Sequence, residues 1–306
     1  MKLFQYLYLI IIISTCRTVS YGQDSVSIMF YNVENLFDTF DDSTKNDNEF
    51  LPKAKKKWTK SRWHKKTQKI AQVITAANYP DVIGFCEIEN DTVLKKLINS
   101  NLLWKKKYKI LHFESKDQRG IDVAIIYKAD RLDLISVKPN YINLKGKRNT
   151  RDILSATFAN QKDTFALFIN HWPSRYGGKK KSIPKRLIAS NKLKILMDSV
   201  TNNFPNKRVI ATGDFNDEPH DSSLAKFKDY KFTSFKFEGT IKYRGRWQIF
   251  DQFILSGNFE YKARILNYEF LLEEDKKYGG FKPYRTYIGP RYRNGFSDHL
   301  PILLKF

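Results

Sequence analysis

The chain has 306 residues, 42% of them hydrophobic and 15% aromatic, enough to bury a sizeable core and to exclude a disordered polymer. Lys and Arg number 54 against 32 Asp and Glu, a formal net charge of +22. Such an excess favours polyanions (nucleic acid, anionic lipid or a phosphorylated small molecule) and leaves open whether the chain holds one large domain or two small ones.

The N-terminus reads as a targeting segment. Lys2 supplies a short positive region, and Leu3 to Ile13 is almost wholly apolar. A membrane span needs roughly 20 apolar residues, so the run suits a signal peptide and not a transmembrane helix. Ser20-Tyr21-Gly22 places small residues where a signal peptidase reads, and cleavage before Gln23 is expected. That makes residues 1–22 the signal peptide and predicts an exported protein, secreted, periplasmic or on the cell surface. Cys16 offers a lipoprotein alternative, although Ile13-Ser14-Thr15 before it is a poor lipid-attachment sequence. The cleaved chain keeps a charge of +20, because Lys2 and Arg17 leave and no acid does. Cys86 is then the only cysteine, so no internal disulfide is expected. Its apolar neighbours Val82, Ile83 and Phe85 make it a buried small hydrophobe.

The rest alternates short β runs with polar loops and a few helices. Strands are expected at Ser25–Val33, Asp81–Ile88, Ile121–Tyr127, Ile153–Phe158, Thr164–Asn170, Arg208–Thr212, Trp247–Leu255 and Pro301–Phe306, all rich in Val, Ile, Phe and Tyr. A helix over Ser61–Asn78 carries Ile70, Val73, Ile74 and Ala77 on one face. Another over Ser182–Phe204 carries Leu193, Leu196, Met197 and Val200, with Pro184 tolerated in its first turn. A shorter helix follows Asn90. Between them, Asp38–Glu49 is acidic and Lys53–Lys66 is basic, with Trp58 and Trp63 among the lysines. Those tryptophans either stack on bases, as in single-strand binding, or pack on the core. No repeat and no Gly/Ser linker divides residues 23–306, so one α/β domain is expected, with sheets covered by helices.

Five polar clusters sit at the edges of these strands. Asn32 and Glu34 follow the first, and Glu87 ends the second, where a carboxylate can project into a cleft. His171 ends a later strand. The buried run Val209–Thr212 leads through Gly213 to Asp214 and Asn216, two residues apart and on one face in extended geometry. A carboxylate there can orient and deprotonate water while the amide donates to a phosphoryl oxygen. Gly213 is read as permitting a tight turn. Asp251 interrupts an apolar strand and needs a partner, because an unpaired buried charge is heavily penalised. An imidazole would serve. Asp298 and His299 stand side by side before the C-terminal strand. Arg148, Arg151 and Arg175 are candidate phosphate contacts.

Together these residues are the inventory for metal-assisted attack on a phosphate ester. The segments Asn32–Asp38, Asn170–Arg175 and Gly295–His299 resemble the endonuclease/exonuclease/phosphatase (DNase I-like) superfamily over about residues 26–306, and look most like its exported bacterial nuclease-like branch. The resemblance implies a four-layer αββα sandwich: two packed, mainly antiparallel sheets flanked by helices, with the site at one end. It makes Glu87 the principal metal ligand with Glu34 and Asp298 nearby, for Mg²⁺ or Mn²⁺. It places Asn32 near that metal ligand as well, where it is a substrate-binding candidate, and gives Asp214 the attacking water, Asn216 the phosphate, and His171 and His299 the flanks of the phosphorus, with Asp251 paired to His299. Two departures stand out. Relatives often carry Asp or Asn where this chain has the longer Glu34, and Phe250 replaces the usual lead-in to Asp251.

The expected function is an exported, divalent-metal-dependent phosphodiesterase, a nuclease acting on DNA or RNA in the first place. A phosphatase or a lipid phosphodiesterase of the inositol phosphate or sphingomyelin type is the enzymatic alternative, and a non-catalytic polyanion binder the other. No stable protein partner is implied. Loops such as Lys53–Lys66 and Lys179–Arg186 are expected to set the substrate.

Overall fold

A computed structural model describes residues 25–144, 146, 149–257 and 259–306. The predicted signal peptide, with Cys16, lies outside these residues, as does Arg148. Twelve strands build two sheets. They are β1 (Ser27–Leu36), β2 (Val82–Ile88), β3 (Tyr108–His112), β4 (Asp122–Lys128), β5 (Asp133–Asn140), β6 (Ile153–Ala159), β7 (Thr164–His171), β8 (Arg208–Asp214), β9 (Lys231–Phe232), β10 (Asp251–Ser256), β11 (Lys262–Ile265) and β12 (Ile302–Lys305). The first sheet has the order β11-β12-β1-β2-β4-β3 and the second β5-β6-β7-β8-β10-β9. Only β1/β2 and β7/β8 are parallel, so both sheets are mainly antiparallel, as expected for the sandwich.

Period-two alternation explains the layering. In β7, Phe165, Leu167 and Ile169 join Phe30, Ile125 and Tyr127 in the core between the sheets. Their alternates Ala166 and Phe168 point the other way, with Val209, Ala211 and Ile254, onto Ala189, Leu193 and Met197 of helix α3 (Lys179–Asn203). Helices α1 (Lys60–Ala76) and α2 (Asp91–Ile98) contribute Ile70, Val73, Val93 and Leu97 to the packing of the first sheet. Asn90 caps α2, its Oδ1 accepting from Val93 N at 3.1 Å. The sheets approach closely at Gly84, where a Cβ would meet Ile169 Cδ1 at 2.4 Å. Among the described residues, no helix is long and apolar enough to cross a membrane.

Several expectations shift. Strands β3, β5 and β11 were not expected, because they lie at or near sheet edges and expose much of their length, which blurs the apolar alternation. The single strand expected over Trp247–Leu255 is two: a short ribbon strand, Arg246–Gln248, and β10 after a break at Ile249 and Phe250. Asp251 therefore begins a strand and does not interrupt one. Helix α3 starts at Lys179, which puts Pro184 in its second turn. Trp58 and Trp63 are buried, and Trp58 Nε1 donates to Phe37 O at 2.9 Å. The basic segment thus has no exposed tryptophan on which to stack a base.

Candidate active site

Parallel pairing brings the C-terminal ends of β1 and β2 to one edge of the first sheet and those of β7 and β8 to the same edge of the second. The antiparallel strands β10 and β12 return from that edge. Asp214 is in register with His171 on one side and Asp251 on the other. Register partners share a face, so the three side chains stand in a row. Gly213 permits this row for a reason other than a turn. It lies within β8, and a Cβ there would meet Asn170 O of β7 at 2.3 Å. The glycine allows close approach of two strands.

Three site residues adopt left-handed backbone: Glu34 at φ 50°, Glu87 at φ 64° and Asn216 at φ 52°. The β1/β2 register shifts between Asn32 and Leu36, and the β2/β4 register between Cys86 and Ile88. These bulges re-aim side chains that regular strands would send elsewhere, and such strain concentrates at functional sites.

The centre is a buried network. His299 Nδ1 lies 2.7 Å from Asp251 Oδ2. Asp214 Oδ2 lies 3.9 Å from His299 Nε2 and 3.6 Å from His171 Nε2, and accepts from Asn32 Nδ2 at 3.1 Å. Asp214 Oδ1 accepts from Asn216 N at 2.9 Å. Burial lifts Asp214 to about 7, with Asp251 and Glu87 adding to the rise and His299 opposing it. Burial alone would depress His299, but Asp251 and Asp214 outweigh it and hold the imidazole well above its ordinary value. His171 goes the other way. Burial, then the positive charges of Arg151, Arg119 and His299, push it well below. The two histidines are thus poised as one cation and one neutral ring.

A second group of acids adjoins this one. Glu34 accepts from Thr286 N at 2.5 Å and Tyr287 N at 3.1 Å. Asp298 accepts from Arg285 Nη2 at 2.8 Å, and Arg285 Nε lies 3.7 Å from Glu34. Burial and the charge of Asp298 lift Glu34 to about 7. Glu87, at the end of β2, has Oε1 4.0 Å from His171 Nε2. Lys66 is buried and donates to Thr286 Oγ1 at 2.6 Å and Phe296 O at 2.5 Å. Burial depresses it to about 8, against the pull of Glu34, Asp298 and Glu87. Asp298 repels Glu34, and both act with Glu87 on the same two cations, Lys66 and Arg285; acids gathered in this way supply the hard oxygens that suit a divalent cation. Glu34 already holds two backbone N–H groups, so Glu87 and Asp298 are the better placed donors.

Two expected phosphate contacts are engaged elsewhere. Arg151 donates to Asp117 Oδ2 at 3.1 Å and Trp172 O at 2.8 Å. Arg175 donates to Asn216 O at 2.8 Å, Asp217 Oδ1 at 3.1 Å and Asp221 Oδ2 at 2.8 Å. Both guanidinium groups thus brace the segments next to His171 and Asn216 through protein acids and carbonyls. Asn216 Nδ2 itself donates to Trp172 O at 3.1 Å, using one of its two amide hydrogens.

Lys66, Arg285 and Arg119 were missed. Lys66 had a signal: it is one turn before Ile70 and three after Trp63, inside the apolar stripe of α1. Arg285 and Arg119 had none, being loop arginines in a basic chain.

The sequence profile of the Endonuclease/Exonuclease/phosphatase family matches residues 27–306, which takes in every element of this site. The chain belongs to that family. No curated protein sequence matches it significantly. Among solved structures, the chain is similar to the mannosyl-6-phosphatase of Bacteroides thetaiotaomicron (TM-score 0.61, 16% identity, 91% of this chain and 98% of that one). It is also similar to TDP2 from Caenorhabditis elegans (TM-score 0.59, 16% identity, 92% and 74%) and to the human Nocturnin catalytic domain (TM-score 0.59, 16% identity, 92% and 93%). At such identity the likeness shows the fold. The endonuclease/exonuclease/phosphatase family comprises phosphoric ester hydrolases, and the acid, amide and histidine set described above lies at one end of this fold.

Proposed function

We propose that the protein is an exported, divalent-metal-dependent phosphodiesterase of the nuclease type. The observation that carries the reading is the 2.7 Å Asp251–His299 pair with Asp214 facing both histidines. Asp214 is held at both oxygens, by Asn216 N and Asn32 Nδ2, and is lifted to about 7, where a base works at neutral pH. It would orient the attacking water and take its proton as the new P–O bond forms and the bond to the leaving oxygen breaks in line. His299, held protonated by Asp251, would donate through Nε2 to a phosphoryl oxygen. His171, held neutral, would donate without adding charge. Mg²⁺ or Mn²⁺, when bound, neutralises charge developing on the phosphoryl and leaving oxygens. Glu87 and Asp298 would hold it, with Glu34 setting the loop at Thr286 behind them.

Hydrolysis of bis(4-nitrophenyl) phosphate, DNA and RNA, before and after chelation and with each metal restored, tests the reading. Turnover should vanish with EDTA and return with Mg²⁺ or Mn²⁺. Glu87→Gln should require far more metal. Activity that survives chelation overturns the proposal. The likeness to a mannosyl-6-phosphatase over nearly its whole length favours a phosphomonoester as the second reading. Cleavage of sugar phosphates with DNA and RNA left intact would establish that one instead.

Export rests on residues 1–22, whose short apolar run after Lys2 has the form of a signal peptide. Intact mass of the mature protein should show the loss of those residues. A full-length cytoplasmic product would remove export from the proposal.

A further inference from the structure

We propose a second metal site, for a divalent cation of the zinc class, held by His112, Asp122 and Glu114 where the loop 113–121 leaves β3 and enters β4. The residues come together through strand register. His112 pairs with Ala124, and Asp122, two residues before Ala124, lies on the same face. His112 Nε2 and Asp122 Oδ2 stand 3.3 Å apart, their side chains 4% and 1% exposed. Neither atom has a hydrogen-bond partner. A buried carboxylate oxygen and a buried imidazole nitrogen left unpartnered side by side are costly unless something joins them. Two ligand atoms each about 2.1 Å from one ion, at a tetrahedral angle, lie about 3.4 Å apart. The observed spacing matches that separation.

The remaining donors are in place. A carboxylate oxygen of Glu114 lies within 4.8 Å of a ring nitrogen of His112 and of a carboxylate oxygen of Asp122. Glu114 is 55% exposed and 3.5 Å from Lys45, so it is the ligand free to swing. Asp122 Oδ1 accepts from Ser115 N at 3.0 Å, which fixes the carboxylate plane. Asp91 Oδ1 faces the other ring nitrogen of His112 at 4.0 Å, the usual side for the carboxylate that orients a metal-bound histidine. Asp152, whose Oδ1 is also unpartnered, borders with Asp122 a cavity of about 10 Å³, room for about one water. One imidazole with carboxylates selects zinc over magnesium, in contrast to the oxygen donors of the active site. Such an ion would pin both ends of the loop that carries Asp117 to Arg151 and Arg119 to Asn35, at 3.1 Å and 2.9 Å.

Zinc content after equilibrium dialysis of the EDTA-stripped full chain tests the site. Wild type and Glu87→Gln should each hold the ion, and His112→Gln should hold one fewer than wild type. Glu114→Gln, at an exposed position, should weaken zinc binding by about tenfold or more. Zinc should also slow tryptic cleavage at Lys116 and Arg119 in wild type and Glu87→Gln, but not in His112→Gln. Equal zinc content in wild type and His112→Gln, or equal protection of the loop, would reduce the cluster to a bare His–Asp contact. Should His112→Gln fail to fold, an unchanged zinc affinity in Glu114→Gln overturns the proposal by itself.

Discussion

Burial of Asp214, the base of the proposed mechanism, costs stability where the carboxylate is ionised. Asp214 is lifted to about 7 chiefly by burial, so the folded protein holds its proton more tightly than the unfolded chain does. The stability this contributes is fully present below the ordinary carboxylate range and is lost as pH rises through about 7. Asp214→Asn removes the ionisation and should therefore melt no lower than wild type at pH 8, while turnover falls by roughly 10²-fold or more. Near wild-type turnover would remove Asp214 from the mechanism. Asp251 acts through its neighbour. Its carboxylate helps hold the His299 imidazolium well above the ordinary value, so Asp251→Asn should move the His299 limb of the pH–rate profile to lower pH. An unmoved limb would mean that the 2.7 Å contact does not govern the titration. These residues were legible in the sequence because each is a polar interruption at the edge of an apolar run. Arg151 and Arg175 were not. Their partners Asp117, Asp217 and Asp221 lie 34 to 46 positions away, and only the fold brings them together.

At the scale of elements, the apolar strands β1, β2, β7, β8 and β12 could be read directly, and with them the edge to which the site belongs. The bulges at Glu34 and Glu87 could not, because a left-handed non-glycine residue leaves no mark on composition. The break before Asp251 was hidden for a related reason: Trp247–Leu255 is mostly apolar or aromatic and has no Gly or Pro to mark a turn, yet the chain breaks there to set Asp251 beside Asp214. Helix α1 shows the opposite case, a pattern present but overlooked. Lys66 lies on its buried face and ties the helix to Thr286 and Phe296. Removing it would leave Thr286 Oγ1 and the buried Phe296 O without their donor, at about 1–3 kcal/mol for each acceptor left unsatisfied. Lys66→Met should therefore melt well below Lys65→Met, whose side chain is exposed. Equal melting temperatures would mean that Lys66 is dispensable to the join between α1 and the Thr286 loop.

For the whole molecule, the question is whether a charge of +22 serves the substrate. Part of the basic charge is internal. Lys66 is buried, Lys179 pairs with Asp221 at 2.6 Å, and Lys56 lies over the rings of Phe50 and Tyr287. Lys53, Lys55, Lys57, Lys60 and Lys65 are exposed and precede or lie in α1, so they are the lysines of the basic segment available to a polyanion. Each phosphate bound by Lys or Arg displaces a counterion, and log affinity falls with log salt by ~0.9 per phosphate on duplex DNA and ~0.7 on a single strand. If nucleic acid is the substrate, KM should climb steeply between low and physiological salt. The triple change Lys53→Gln, Lys55→Gln, Lys60→Gln should flatten that slope by up to ~0.9 for each phosphate no longer neutralised, with kcat on bis(4-nitrophenyl) phosphate unchanged because that compact ester never reaches the segment. A sugar phosphate should give a shallow slope in both proteins. A steep slope that the triple variant leaves intact would move the polyanion track elsewhere on the surface. A shallow slope on DNA and RNA alike would leave the net charge without a role in substrate binding and favour the phosphomonoester.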